Sequence, residues 1–393
     1  MVNGQMEDDA LVVELNGRID SSDSEQVEKE VFDLIASNKP NKIIFEAKNL
    51  NYISSAGLRV ILKVIQQSKE KVVMRNVNSE VGEILHVTGF NTLMKVERAL
   101  REVSVDGCEI IGRGGNGCVY RLDEDTIIKV FTNNTPLEDI EKERKLAQTA
   151  FLLGIPTAIS YDIVRVNDVY GLVFEMIKAE TISVLMNKEP EKYGTIFGTL
   201  LKKIHSTKVD TSKLSSTKDA YKGFIDKIKE RITEEEYLKL NNFIDSIPDR
   251  DTLIHGDYHP GNIMIQNGEP ILIDMGDIGY GHPIFDLAGV YASTISAAKQ
   301  APDHLKQFMG LEIESTYRTY DAFIKAYFET EDAQKIEQIN QVLGAYSMLK
   351  ALMGVVQGKN LNEELKNRCI ESLRRYLFPA IDQIGSMLPL LNI

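Results

Sequence analysis

The sequence predicts two domains, a small α/β domain followed by a larger α+β domain. Three observations predict it. A chain of 393 residues exceeds what one ordinary core accommodates. Between Leu11 and about Leu100, runs with strand spacing alternate with runs of helical spacing. After Val105 the alternation stops: a glycine-rich stretch and hairpin-like strands follow, and from about Pro190 the pattern is mostly helical apart from a loop-rich region at 251–286. The domains are expected at 1–102 and 103–393, joined without a linker rich in proline, glycine or serine.

In the first domain the strands are expected at 11–15 (Leu11-Val12-Val13-Glu14-Leu15), 42–47, 72–74 and near 94–96, with helices at about 22–37, 56–68 and 79–87. These make a small sheet covered by helices. In the second, Cys118-Val119-Tyr120-Arg121-Leu122 alternates, Asp123-Glu124-Asp125 can turn, and Thr126-Ile127-Ile128-Lys129-Val130-Phe131 returns as a second strand.

The chain is 43% apolar and 26% charged, as a folded protein should be. No continuous run approaches the roughly 18 apolar residues of a membrane span, and the first residues lack the basic-then-apolar order of a signal peptide, so a cytoplasmic protein is expected, without membrane partners. Three cysteines (Cys108, Cys118, Cys369) have no metal-ligand spacing. A formal net charge of -13 disfavours nucleic acid and leaves room for a cationic small substrate or a basic protein surface.

Gly112-Arg113-Gly114-Gly115-Asn116-Gly117 satisfies G-x-G-x-x-G. A dinucleotide fold needs a helix after these glycines. Here a strand follows, which is the phosphate-covering hairpin of a kinase, with Gly112, Gly114 and Gly117 over the phosphates. Lys129 then stands where it can reach phosphate, and Glu143 is its expected ion-pair partner because Leu146 follows at helical spacing on the core side. Glu141 is expected to be solvated.

The stretch His255-Gly256-Asp257-Tyr258-His259-Pro260-Gly261-Asn262, followed by Ile273-Asp274-Met275-Gly276-Asp277, resembles the aminoglycoside phosphotransferase and choline kinase superfamily, whose H-G-D-x-H-x-G-N and I-D-x-G-D patterns it matches position by position. The resemblance implies a bilobal protein-kinase-like domain, with an N-lobe at about 105–177 and a C-lobe at about 178–393. It also implies ATP and Mg2+ as cofactors and the hydroxyl of a small molecule as acceptor. Phosphoryl transfer needs an acceptor held in line and metal ions that neutralise phosphate charge. Asp257 is the expected catalytic residue, which holds or deprotonates the hydroxyl. Asn262 and Asp274 are the expected magnesium ligands, hard oxygen donors from two adjacent strand ends. Phe174-Glu175-Met176-Ile177 falls at the interlobe hinge, so the backbone of Glu175 and Ile177 is expected to meet adenine. His205 and Asp286 match structural positions of the family. Gly256 replaces the arginine of regulated protein kinases, and few residues separate Asp277 from Pro283, which favours a small acceptor over a peptide.

Leu50-Asn51-Tyr52-Ile53-Ser54-Ser55-Ala56-Gly57-Leu58-Arg59 is similar to the signature of STAS domains, the anti-sigma-factor antagonists, and Gly17-Arg18-Ile19-Asp20 fits that family's early strand turn. Ser55 takes the place of the serine that a partner kinase phosphorylates, although Ser54 replaces the usual aspartate before it and Ala56 the second serine. An anti-sigma-factor-like protein partner is implied. The chain is therefore expected to be a small-molecule kinase with a STAS domain for docking or regulation. Two alternatives are a signalling kinase acting through Ser55 and a nucleotide-binding scaffold, the latter opposed by the intact Lys129, Asp257, Asn262 and Asp274.

Overall fold

The computed structural model describes residues 2–114, 117–132, 135–357 and 363–391. The chain divides into two compact units, Met1–Val103 and Ser104–Ile393.

The small unit contains β1 (Val2–Glu7), β2 (Ala10–Leu15), β3 (Gly17–Ile19), α1 (Ser24–Asn38), β4 (Lys42–Glu46), β5 (Leu50–Ile53), α2 (Ser55–Gln67), β6 (Val73–Val77), α3 (Ser79–Val87) and β7 (Lys95–Arg98). The main sheet runs β1-β2-β4-β6-β7, with β1 antiparallel at the edge and the others parallel. β2 is buried along almost its whole length, as parallel central strands covered on both faces must be. β1 has no counterpart in the expected strands. Five of its six residues are exposed, so it carries no apolar alternation to read. α1 begins two residues later than expected, because Asp20 accepts hydrogen bonds from the Ser22 N–H (2.8 Å) and hydroxyl (2.6 Å) and holds that segment as a turn.

The large unit starts with β8 (Ile110–Gly114), β9 (Gly117–Arg121), β10 (Thr126–Phe131), α4 (Leu137–Leu152), β11 (Ser160–Val166) and β12 (Val169–Glu175). These strands are hydrogen-bonded in the order β11-β12-β10-β9-β8, each pair antiparallel. The helical remainder includes α5 (Pro190–His205), a short strand β13 (Leu253–Ile254), the hairpin β14 (Ile263–Gln266) and β15 (Glu269–Leu272), then α6 (Ile284–Tyr291), α7 (Ile313–Phe328) and α8 (Ala333–Gln357). Phe197 of α5 stacks on Tyr258 with ring centroids 4.6 Å apart and meets Phe323 of α7 at 5.1 Å, so the loop after β13 rests on an aromatic cluster.

α8 bears on the expectation that no run approaches a membrane span. Over Ala333–Val356 it is long and apolar enough, by length and composition, to cross a membrane. The sequence shows no continuous apolar run there because Gln, Asn and Gly interrupt it. Its residues Ile339, Val342, Leu343, Tyr346, Leu349 and Leu352 are buried in the core of the large unit.

Candidate active site

The hairpin of β8 and β9 brings Gly112, Gly114 and Gly117 to one end of the sheet; Gly115 and Asn116 lie outside the described residues. Gly117 must be glycine, since a Cβ there would stand 2.0 Å from the Val130 carbonyl oxygen. On β10, Ile128 is buried while the neighbouring Lys129 projects from the opposite face, as the two-residue period of a strand dictates. Lys129 Nζ donates to Glu143 Oε1 at 2.7 Å and lies 3.5 Å from Asp274 Oδ2. Burial alone would pull the Lys129 ammonium down, but the charges of Asp274 and Glu143 outweigh it and hold its pKa above the ordinary value. Leu146 is buried below Glu143, and Glu141 is exposed.

Asp274 and Asn262 meet through the β14–β15 hairpin, which pairs Ile263 with Leu272. One step further the Ile273 N–H donates to the Asn262 carbonyl at 2.9 Å, setting Asn262 beside Asp274. Asp274 adopts φ 63°, a left-handed conformation uncommon for a non-glycine residue and frequent where backbone is shaped for function. The Asn262 amide nitrogen is committed to the Asp257 carbonyl at 3.0 Å, which leaves the amide oxygen as the donor for a cation. Among the described residues no three His, Cys, Asp or Glu side chains gather as a metal cluster. One carboxylate and one amide oxygen nevertheless suit a magnesium ion that keeps waters and takes its remaining oxygens from substrate phosphates.

Asp257 follows β13 and is half exposed. Partial burial raises its pKa, but His259, Lys350 and His255 more than offset this and keep the carboxyl below its ordinary value. His259 accepts from the Gly261 N–H through Nδ1, so its Nε2 carries the proton that faces Asp257 Oδ2 at 3.5 Å. Beneath the loop, fully buried Asp286 accepts from the His255 and Gly256 N–H groups, both at 2.7 Å, and from His205 Nε2 at 3.0 Å. His205 Nδ1 in turn accepts from the Tyr327 hydroxyl at 2.6 Å. Gly256 has φ +84°, and a Cβ there would stand 2.3 Å from the Asp277 carbonyl oxygen.

At the hinge, the Glu175 N–H donates to the Ile159 carbonyl (3.0 Å), and the Met176 N–H donates to the Asp125 carbonyl (2.8 Å). The Ile177 N–H has no partner among the described residues, although Ile177 is buried. That geometry leaves Ile177 better suited than Glu175 to donate to a base.

Two residues near Asp257 were not expected there. Asp277, quoted only as part of a motif, packs its backbone against Gly256. Its carboxyl is pushed up by the protein packed around it and then by the charges of Asp257 and Asp274, although the residue is exposed to solvent on its outer side. Lys350 of α8 donates to the Gly256 carbonyl at 2.6 Å. No sequence signal pointed to it.

In the small unit Ser54 is buried and its side chain accepts from the Gly57 N–H at 3.3 Å, capping α2. Ser55, the first helical residue, is exposed.

A model of the phosphotransferase enzyme family matches residues 108–323, and a model of the STAS domain matches residues 2–103. The protein assigned as anti-sigma factor antagonist BtrV of Bordetella bronchiseptica is 30% identical over 92 residues, which are 23% of this chain and 78% of that one. The anti-sigma F factor antagonist of Paenibacillus polymyxa is 30% identical over 89 residues, 22% of this chain and 76% of its own. Among solved structures, the gentamicin complex of APH(2")-IIa is 18% identical and covers 76% of this chain and 97% of its own, with a TM-score of 0.46.

Proposed function

The chain belongs to the phosphotransferase enzyme family, with a STAS domain ahead of the phosphotransferase domain, and on that premise we propose that it transfers the terminal phosphoryl group of ATP, with Mg2+, to a hydroxyl of a small molecule. The observation that carries the proposal is the convergence of Lys129, Glu143 and Asp274 within 3.5 Å, with Asn262 beside Asp274 and bonded to the backbone of Asp257. In this reading the site lies between an N-lobe at about 105–177 and a C-lobe at about 178–393.

The residues divide the work as follows. The backbone at Glu175 and Ile177 meets adenine, chiefly through the Ile177 N–H, and the glycine hairpin covers the phosphates. Lys129, steadied by Glu143, neutralises phosphate charge. Asn262 and Asp274 hold magnesium, which supplies further positive charge against the phosphate oxygens when bound. Asp257, kept ionised by His259 and its neighbours, holds the acceptor hydroxyl in line and takes its proton as the new P–O bond forms and the bond to ADP breaks. The short segment between Asp277 and Pro283 leaves little chain to grip a peptide, which supports a small acceptor. A cytoplasmic location belongs to the same proposal.

A second reading has a specific observation behind it. Ser54 is consumed by the cap while Ser55 stays exposed at the helix start, where a phosphate would gain from free N–H groups. Ser55 is then a phosphoacceptor through which an anti-sigma-factor-like partner is engaged or released. The test for both is an ATP-consumption screen over aminoglycosides, amino alcohols, sugars and amino acids, run beside autophosphorylation. One acceptor class should raise ATP consumption, and the rise should vanish in Asp257→Asn. Phosphate appearing on Ser55 alone, with no acceptor effect, would replace the first reading by the second.

A further inference from the structure

Lys350 lies 94 residues beyond Gly256 in sequence and outside the span matched by the phosphotransferase family model, which ends at residue 323. Its stem lies against α6 at Gly289, and its Nζ reaches the Gly256 carbonyl. The groups around that bond show what it does. The peptide joining Gly256 to Asp257 has a carbonyl at one end and the Asp257 N–H at the other. Lys350 holds the first at 2.6 Å, and His255 Nδ1 accepts from the second at 3.3 Å. One peptide earlier, Asp286 Oδ1 accepts from the Gly256 N–H at 2.7 Å.

The bond from Lys350 is the short, charge-assisted one of the pair on this peptide, and the bond to His255 is long. A glycine with positive φ has many conformations open to it, so without Lys350 this peptide is the point at which the loop can rotate. Rotation there would re-aim the Asp257 side chain directly, since its Cα follows that peptide.

We propose that Lys350 is a positioning residue for phosphoryl transfer: by fixing the Gly256–Asp257 peptide from α8 it aims Asp257 at the acceptor hydroxyl. This rests on the assignment of Asp257 above. A displacement of about 1 Å at a reacting group can cost roughly a hundredfold in rate, so the effect should fall on turnover and leave nucleotide binding alone.

The experiment compares the full chain as wild type, Lys350→Met and Lys350→Arg. Three quantities are read: amide hydrogen exchange over 253–262, affinity for a fluorescent ATP analogue with Mg2+, and acceptor-free ATP hydrolysis. Lys350→Met should speed exchange over 253–262 without a general rise elsewhere, bind the nucleotide within about twofold of wild type, and turn over roughly 10- to 100-fold more slowly. Lys350→Arg should restore most of both effects. Unchanged exchange over 253–262 in Lys350→Met overturns the proposal whatever the activity. So does a rise spread over the whole large unit together with lost nucleotide binding, which would mark a merely structural lysine. If the exchange shifts as expected but wild type neither binds nor hydrolyses ATP, the loop clamp stands and the proposed function fails.

Discussion

At the start of α2, Ser55 is presented by its own neighbours: Ser54 caps the Gly57 N–H three residues on, and the helix follows at once. At the loop that carries Asp257, the backbone is held by residues far away in sequence: Asp286 lies thirty-one residues beyond His255 and thirty beyond Gly256, Lys350 ninety-four beyond Gly256, and His205 eighty-one before Asp286. The difference teaches how each site can fail. A locally built site loses little when one contact goes. A site assembled from distant elements depends on the packing of the whole unit, and a single buried deletion reaches it.

The largest expected effect falls on the loop itself. Asp257→Asn should lower phosphotransfer by about 10²- to 10⁴-fold while nucleotide affinity stays near wild type, measured by steady-state turnover beside equilibrium binding. Turnover like wild type would remove Asp257 from the chemistry.

Asp286→Ala tests the distant support. It strands the buried His255 N–H, the partly buried Gly256 N–H and the His205 imidazole, so the large unit should lose roughly 3–5 kcal/mol in denaturant unfolding followed by circular dichroism. If that loss is no larger than for Ser54→Ala, the contrast between the two sites breaks.

Acid sharpens it further. His282 is buried, and that burial, followed by the positive charge of Arg250, pushes its pKa down from 6.5 to about 4. The unfolded chain therefore binds this proton first as pH falls. The contribution is fully present above about pH 6.5 and is lost between about 6.5 and 4, to the extent of roughly 3 kcal/mol. His282→Gln should flatten the pH dependence of large-unit stability over that window, and an unchanged slope would mean another group governs it.

The smallest effects belong to the small unit. Ser54→Ala should cost about 1 kcal/mol through loss of the cap, and Ser55→Ala less than about 0.5 kcal/mol. Equal costs would mean that both hydroxyls serve the helix and that Ser55 is not free for modification.

Much of this was legible in the sequence where the determining residues are close together. The helices α2 and α3, the strand pair around Lys129 and the choice of Glu143 over Glu141 follow from spacing, because the period of a strand or helix decides which side chains share a face. Ser54 and Ser55 were both readable as caps, and the structure uses Ser54. β1 was not legible because an exposed edge strand shows no apolar period. Lys350 was not legible for a different reason. A lysine on a long helix is ordinarily solvated, and only the path of α8 past α6 brings this one to Gly256. The free N–H of Ile177 likewise depends on where Ile159 and Asp125 fall, which no motif records.

The missing side chain at residue 256 has a consequence for control. In regulated protein kinases an arginine stands at the matching place, and a phosphate added to the activation segment can draw on such a cation to organise the loop. Here any side chain would collide with the Asp277 backbone, and the loop is held instead by a carboxylate and an ammonium that are always present. The loop therefore has no arginine for such a mark to engage. Control through a phosphorylated segment that draws on such an arginine is the one route this geometry closes.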